Sequence, residues 1–421
     1  MELYIFGHDP GSQFQAQPGN RAAVSVCAHR AKSIEVLWTS WCDAVIAHEN
    51  DLKIWGIEYR GTGLTKAQKE QIRDSFTPRL AVAGGHGRQY SVDYFGTAMA
   101  DGLRGYLSHG ANYADSKIVL FATELEMEAG VPEIQIYSGT VHRTFVAIAM
   151  RMGSNDDVLV TAASPETSEQ KMFHFKHLDE LRNHLDTSSP ASPIPTITFP
   201  GATQFCVNAT TFTALDSRGF VHTATRDPRY PKCLGRPHDN TFNFQSVPYL
   251  SETEIQRIAA GGYMTAAVSV QGELFLWGQA CPGSIGELSV LKEHAVSNDS
   301  HEISSTSGIS AEEEEQDDVV KCLTVHIDGE TLHVYSVAIG HGHVLVAAEK
   351  TMSSGVLKRV VFAAGENGKG QLGCCPSKEH LQDFEEVRVL RGRRIEQLAT
   401  SGWSTYIVTS GRGSTDSGRD M

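Results

Sequence analysis

No two of the eight cysteines, Cys27, Cys42, Cys206, Cys233, Cys281, Cys322, Cys374 and Cys375, stand in a Cys-x-x-Cys arrangement. That excludes a zinc ribbon and a thioredoxin-type redox motif. The adjacent Cys374 and Cys375 cannot close on each other without strain, so free thiols in a reducing compartment are expected. Basic residues are also in deficit, with Lys+Arg 36 against Asp+Glu 50 and a formal net charge of −14. A nonspecific nucleic-acid binder needs a basic surface to displace counterions, so none is expected here. No apolar run approaches the ~20 residues that span a bilayer. The opening Met1-Glu2-Leu3-Tyr4 has no basic region or apolar core of a signal peptide. The expectation is a monomer inside the cell, cytoplasmic or nuclear, that meets no membrane. Helical periodicity is scarce and confined to residues 66–74 and 175–185. No nucleophile elbow surrounds any serine or cysteine. No catalytic, cofactor-binding or metal-binding residue is therefore assigned, and no cofactor is expected.

Glycine, by contrast, recurs in register. Gly278-Gln-Ala-Cys-Pro-Gly283-Ser-Ile-Gly286 returns as Gly365-Glu-Asn-Gly-Lys-Gly370-Gln-Leu-Gly373, each copy following an apolar run. A strand that ends each time in the same turn marks a repeated β unit of roughly fifty to eighty residues. The fullest copy runs from Ile255 through Gly261-Gly262 and Gly272 to Trp277-Gly278. It reads as three strands joined by glycine turns, because glycine accepts the positive φ of tight reversals. A weaker copy begins at Cys206, with Asn208 as the left-handed residue in place of the first glycine. Another starts at Ile34 and turns at Asn50-Asp51. Fainter copies cover 80–107, with Asp101-Gly102 as the turn, and 134–160, with Gly139 and His142. A sixth covers 334–373 with an insertion at 350–358.

The two ends complement each other. The segment around Gly402, from Ile395 to Val408, holds only the first half of a unit, and Leu3–Gly7 holds only the second. Joined in space they make a seventh. The predicted fold is all-β: one seven-bladed β-propeller over 1–410, closed by pairing of the N- and C-terminal strands, leaving only short sheet edges. Three segments break the pattern: a Ser/Pro linker at 186–199, an acidic Ser-rich insertion at 292–319 and a tail at 411–421. Their composition predicts disorder for the insertion and the tail.

The repeats resemble those of the regulator-of-chromosome-condensation family. Its unit is similar to apolar–Ala–x–Gly–x–x–His–Thr–Ala–Leu, then Gly–x–apolar–aromatic–x–Trp–Gly, then Gly–Gln–Leu–Gly. Residues 258–286 and 362–373 carry the likeness, with Gly370-Gln371-Leu372-Gly373 matching the last part outright. The resemblance implies a seven-bladed propeller closed by its ends. It departs from the family at the repeat histidine, which is Met264, Cys42, Thr211 and Ser404 in four units, leaving His142 and His343 to keep it. The family's founding member is a guanine-nucleotide exchange factor for the GTPase Ran and works through a loop wedge that no segment here matches. Other members resemble scaffolds for chromatin-associated, ubiquitin-ligase or tubulin-related proteins. The expected function is thus a non-enzymatic, protein-binding propeller. A Ran-like exchange factor and an enzyme with an unrecognised site are the alternatives.

Two surfaces are candidates for a partner. Arg229 and Tyr230, between two prolines, lie in a loop leaving the fourth unit and are favoured interface types. Arg391, Arg393 and Arg394 are the compact basic cluster before the last unit. Ser310 precedes Ala311-Glu312-Glu313, a context for an acid-directed kinase. Gly84-Gly85-His86-Gly87-Arg88 reads as a turn, and Gly340-His341-Gly342-His343 as a repeat turn rather than half a metal site. Gly365 to Gly370 lacks the spacing and the hydroxyl residue of a phosphate loop.

Overall fold

The structure, a computed structural model, describes residues 1–7, 27–40, 43–49, 51–56, 64–75, 92–96, 102–109, 116–139, 144–150, 158–163, 170–186, 196–198, 201–225, 227–239, 241–292, 308–311, 319–352, 355 and 357–410. These residues form seven antiparallel sheets. Blade 1 holds Ile34–Thr39, Asp43–His48 and Asp51–Gly56. Blade 2 holds Val92–Gly96, Leu103–Ser108, Lys117–Phe121 and Ile134–Ser138; blade 3 holds Thr144–Met150, Val158–Ala163, Gln170–Phe175 and Thr196–Thr198. Blade 4 is Ala202–Val207, Thr211–Asp216, Val221–Thr225 and Gln245–Ser246. Blade 5 is Ile255–Gly261, Met264–Ser269, Leu274–Gly278 and Lys321–Ile327, with Gly308–Ala311 outside it. Blade 6 is His333–Ile339, His343–Thr351, Leu357–Glu366 and His380–Glu386. Blade 7 joins Ile395–Ser401 and Ser404–Thr409 to Glu2–Gly7 and Cys27–Arg30.

The first strand of each blade touches the first strand of the next, and the contacts run without a break from blade 1 round to blade 7 and back to blade 1. The molecule is a closed seven-bladed β-propeller. Its end strands pair as expected, with Leu3 opposite Val408, Tyr4 opposite Ile407 and Ile5 opposite Tyr406.

The core is distributed in the same way. Among the described residues there are seven apolar clusters, and each lies between two successive blades. The cluster of blades 7 and 1 joins Leu3, Tyr406 and Val408 to Ile34, Val36 and Ile46. Second strands such as Met264–Ser269 and Ser404–Thr409 are buried on both faces, which explains their small residues. Blades 4 to 7 share a bulge early in the first strand, just before Gln204, Arg257, Ser336 and Gln397. A bulge re-aims its side chain. Here the Gln397 amide accepts from Val36 N at 2.8 Å and donates to Val36 O at 2.7 Å, pairing blade 7 to blade 1 as a backbone would. Gln204 does the same for blade 5, with Ile258 N and Gln256 O.

Several boundaries differ from the sequence reading. Residues 134–160 are not one unit: Ile134–Ser138 closes blade 2, because its alternating exposure suits an outer edge strand, and blade 3 begins at Thr144. Blade 4 begins at Ala202, not Cys206. Asn208 is not left-handed; its buried Oδ1 instead accepts from Thr210 N and Thr211 N, so the side chain makes the turn. The first-unit reversal lies one residue earlier, with Glu49 at φ 55. The insertion at 350–358 takes the form of a longer hairpin, in which Lys350 pairs with Lys358. Within 186–199 the strand Thr196–Thr198 pairs with Gln170–Phe175, and within 292–319 the strand Gly308–Ala311 pairs with Lys321–Ile327. Gly84–Arg88, His142 and 411–421 lie outside the described residues.

The expected helices occur as Lys66–Ser75 and Leu178–Leu185, the latter starting later because Phe175 belongs to a strand. A third, Glu124–Glu128, is held by a capping box on Thr123. Its Glu126 also meets Arg104 at 2.6 Å and Arg182 at 2.7 Å. Burial would raise this carboxyl, but the two guanidinium groups hold it down at about 2.

Gln397→Ala should lower stability by about 1–3 kcal/mol, because it leaves the inner backbone of blade 1 unpaired at a buried seam. Denaturant unfolding of the full chain, beside a surface control such as Glu396→Ala, checks this.

Candidate functional site

Antiparallel order places the turn after each first strand and the loop after each third strand on one face, and the remaining connections on the other. On the first of these faces a cavity of about 220 Å³ opens at the axis. Every blade lines it with the end of its first strand: Thr39, Gly96, Met150, Val207, Gly261, Ile339 and Ser401. Among the described residues of that lining, His341 is the one titratable side chain, and burial lowers its pKa. The turns bind each other around the opening, Ala209 N donating to Gly262 O at 2.7 Å and His341 N to Gly402 O at 2.9 Å. They are too close for added bulk, since a Cβ on Gly261 would lie 2.2 Å from Ile339 O.

Beneath the turns, polar side chains stitch blade to blade. Asn208 Nδ2 donates to Thr265 Oγ1 at 3.1 Å, and His343 Nε2 lies 3.1 Å from Thr405 Oγ1. Thr265 and Thr405 occupy the same place in their blades. His343 thus keeps the repeat histidine in a structural role. In blade 1 the equivalent residue is Asp43, not Cys42: Ser40 N donates to Asp43 O as Gly340 N does to His343 O. Cys42 itself lies outside the described residues.

Side chains from blades 4 to 7 form an arc on this face. Arg229 forks onto Asp227 with both contacts at 2.7 Å and lies 5.5 Å over the Tyr230 ring. Tyr230 packs edge-on against Tyr263 at 4.8 Å. Cys281 borders the turns at Gly262 and Gly342. Beyond it Ser284 bonds Glu366, and Ile285 is 69% exposed. Lys369 follows, its Nζ 5.7 Å over the Trp403 ring, and Trp403 is 39% exposed. No carboxylate pairs with Lys369 among the described residues.

The arginine cluster lies on the opposite face and is engaged within the fold. Arg391 forks onto Glu386, Arg393 bonds Glu2 and stands 5.2 Å over Tyr4, and Arg394 reaches Glu396 at 3.3 Å. Ser310 lies on the outermost strand of blade 5, opposite Thr324. The repeat positions do what glycine permits: Gly272, Gly278, Gly365, Gly370, Gly373 and Gly402 have positive φ. Gly286 instead makes room for the His380 ring, and Trp277 is fully buried against Gly235. The run from Gly365 to Gly370 is a turn held by the buried Asn367, not a phosphate cradle.

Burial pushes the Cys281 and Cys233 thiols up to about 12 and about 11, so both stay protonated at neutral pH. Among the described residues, no group of three or more His, Cys, Asp or Glu is placed to hold a metal ion, and no helix is long and apolar enough to cross a membrane. Sequence reasoning passed over Ile285, Lys369 and Trp403. The available signal was an aromatic directly after Gly402, where blades 4 and 6 carry the small residues Thr210 and Gly342.

The whole chain is similar in fold to Prp20p from Saccharomyces cerevisiae, a structure described together with its binding properties to Gsp1p and histones. Identity is 12%, covering 98% of this chain and 92% of that one, with a TM-score of 0.53. Yeast RCC1 (Prp20) bound to Kap60 matches at 11% identity over 98% of this chain and 89% of that one, with a TM-score of 0.51. At such identities the likeness is one of fold. No family model and no curated protein matches the chain.

Burial pulls His343 down from 6.5 to about 4. Between those values the unfolded chain binds a proton that the folded chain refuses. Stability should therefore fall as pH drops from about 6.5 towards 4 and stay flat above. His343→Gln should remove one group's share of that slope, at most about 3 kcal/mol. Chemical unfolding at pH 7, 5.5 and 4.5 measures it.

Proposed function

We propose that this chain is a non-enzymatic protein-interaction propeller whose partner sits on the face with the axial recess. The observation that carries this reading comes from the repeat itself. The place of Trp403 is held by Thr210 in blade 4, Tyr263 in blade 5 and Gly342 in blade 6, so the turn forms without an indole. The place of Ile285 is held by Leu372, which is fully buried. Tyr263, Ile285 and Trp403 are thus large side chains presented where folding does not require them. Aromatic and arginine anchors dominate protein interfaces, and Arg229 and Tyr230 extend the same arc. Lys369 adds a cation suited to a carboxylate on the partner.

A second reading, a nucleotide exchange factor for a Ran-like small GTPase, draws support from the whole-chain likeness to Prp20p. It would need the propeller to favour the nucleotide-free GTPase by differential binding. Chromatin-associated, ubiquitin-ligase and tubulin-related proteins are the other partner classes that the repeats suggest.

Affinity capture from cell extract with the full chain separates the faces. Trp403→Ala and Lys369→Ala should each weaken capture of the main partner, Trp403→Ala by about 2 kcal/mol or more. Arg394→Ala, on the opposite face, should leave it unchanged. The reverse pattern would move the site to the arginine cluster. In parallel, a Ran-type GTPase loaded with fluorescent nucleotide should show no faster release with added protein; acceleration would establish the second reading.

A further inference from the structure

We propose that Cys374 and Cys375 form a two-thiol chelating site for trivalent, thiophilic groups of the arsenoxide class. The two residues are neighbours in the loop between the last two strands of blade 6, and both are half-exposed. Cys375 holds a left-handed backbone, φ 49, that non-glycine residues seldom adopt. The clasp that keeps it there is Asn367, which is buried at the centre of the loop. Its Nδ2 donates to the carbonyls of Cys374 and Cys375, each at 3.1 Å, and of Lys378 at 3.0 Å, while its Oδ1 accepts from Leu372 N. The backbone beneath the two sulfurs is therefore fixed before any ligand arrives, which lowers the ordering cost of binding.

The chemistry that suits this pair is bridging rather than direct bonding. A disulfide between adjacent residues would have to draw the sulfurs to about 2.05 Å across one peptide unit, with strain, and would need an oxidant. A trivalent centre placed between them enlarges the ring and needs none. With an arsenoxide, two As–S bonds form, the As–O bonding is lost, and the oxygen leaves with both thiol protons as water, with no change in oxidation state. The reaction accepts protonated thiols, which matches the Cys374 thiol, pushed up to about 12 by burial and by Cys375 beside it. The other described cysteines are unsuitable: Cys233, Cys281 and Cys322 are buried, and Cys27 and Cys206 each stand without a neighbouring cysteine in the chain.

The test uses the full chain, phenylarsine oxide and intact-mass measurement under native conditions. One adduct should form, survive excess 2-mercaptoethanol and be released by dimercaptopropanol. Cys374→Ser and Cys375→Ser should each weaken retention at least about a hundredfold, because the second bond is no longer intramolecular. Cys375→Gly, which accepts the left-handed backbone without cost, should lose the adduct while keeping the wild-type unfolding transition. Cys281→Ser should retain it. An unmodified wild-type chain, an adduct surviving in both single serine variants, or its loss in Cys281→Ser would overturn the assignment.

Discussion

Seven blades have seven interfaces only if the ring is shut, and the interface of blades 7 and 1 exists only because the two ends of the chain share a sheet. Glu2–Gly7 lies along Ser404–Thr409 for its full length. Without that pairing, blade 7 would be a two-stranded ribbon, and the apolar faces of blades 7 and 1 would both meet water. Glu2 reinforces the seam, accepting from Tyr4 Oη at 2.8 Å and Arg30 Nε at 3.0 Å and from Arg393. Burial alone would raise the Glu2 carboxyl; these donors hold it below the usual range. Arg393, which the sequence offers as a free basic residue, belongs to this closure.

A closed ring fixes the axial turns, and with them the floor of the candidate face. Gly7, Gly261 and Gly365 each lie against a carbonyl of a neighbouring strand or turn, at a distance where a Cβ would be about 2 Å from the oxygen. Backbone variety is therefore excluded near the axis. What can differ between blades is the side chain at the tip of each turn and the content of the loop after the third strand. Surface loops and turn tips are where such a scaffold can carry function.

Strand alternation, glycine spacing and the complementary ends were enough to read the fold, because each is set by local backbone chemistry repeated in order. Boundaries were harder where a rule of glycine is met by other means. Asn208 makes its turn with a side-chain oxygen, Glu49 takes a positive φ without being glycine, and Ile134–Ser138 looks like an opening strand but closes its blade. The third helix was missed because five residues give too little periodicity, although Thr123 and Glu126 carry its capping signature. The candidate face was partly legible: Arg229 and Tyr230 are on it, but the arginines at 391–394 are on the other side. Nothing local says which of two faces a loop serves; that follows from counting strands within a closed sheet.

Internal repetition supplies a comparison that a single sequence otherwise lacks. Equivalent places in different blades meet the same folding demand, so a residue exceeding that demand is marked. Leu372 and Ile285 follow the same glycine spacing, yet one is sealed against blade 7 and the other stands in solvent. Thr265 and Thr405 keep one hydroxyl in one role, as acceptor or partner across a seam, and are accounted for by folding. Trp403 is not accounted for in that way, since glycine and threonine serve in its place. An exposed indole costs solubility and contributes nothing to a turn that glycine can make. It stands beside Lys369, which has no carboxylate partner among the described residues, and the pair is not explained by what holds the ring together.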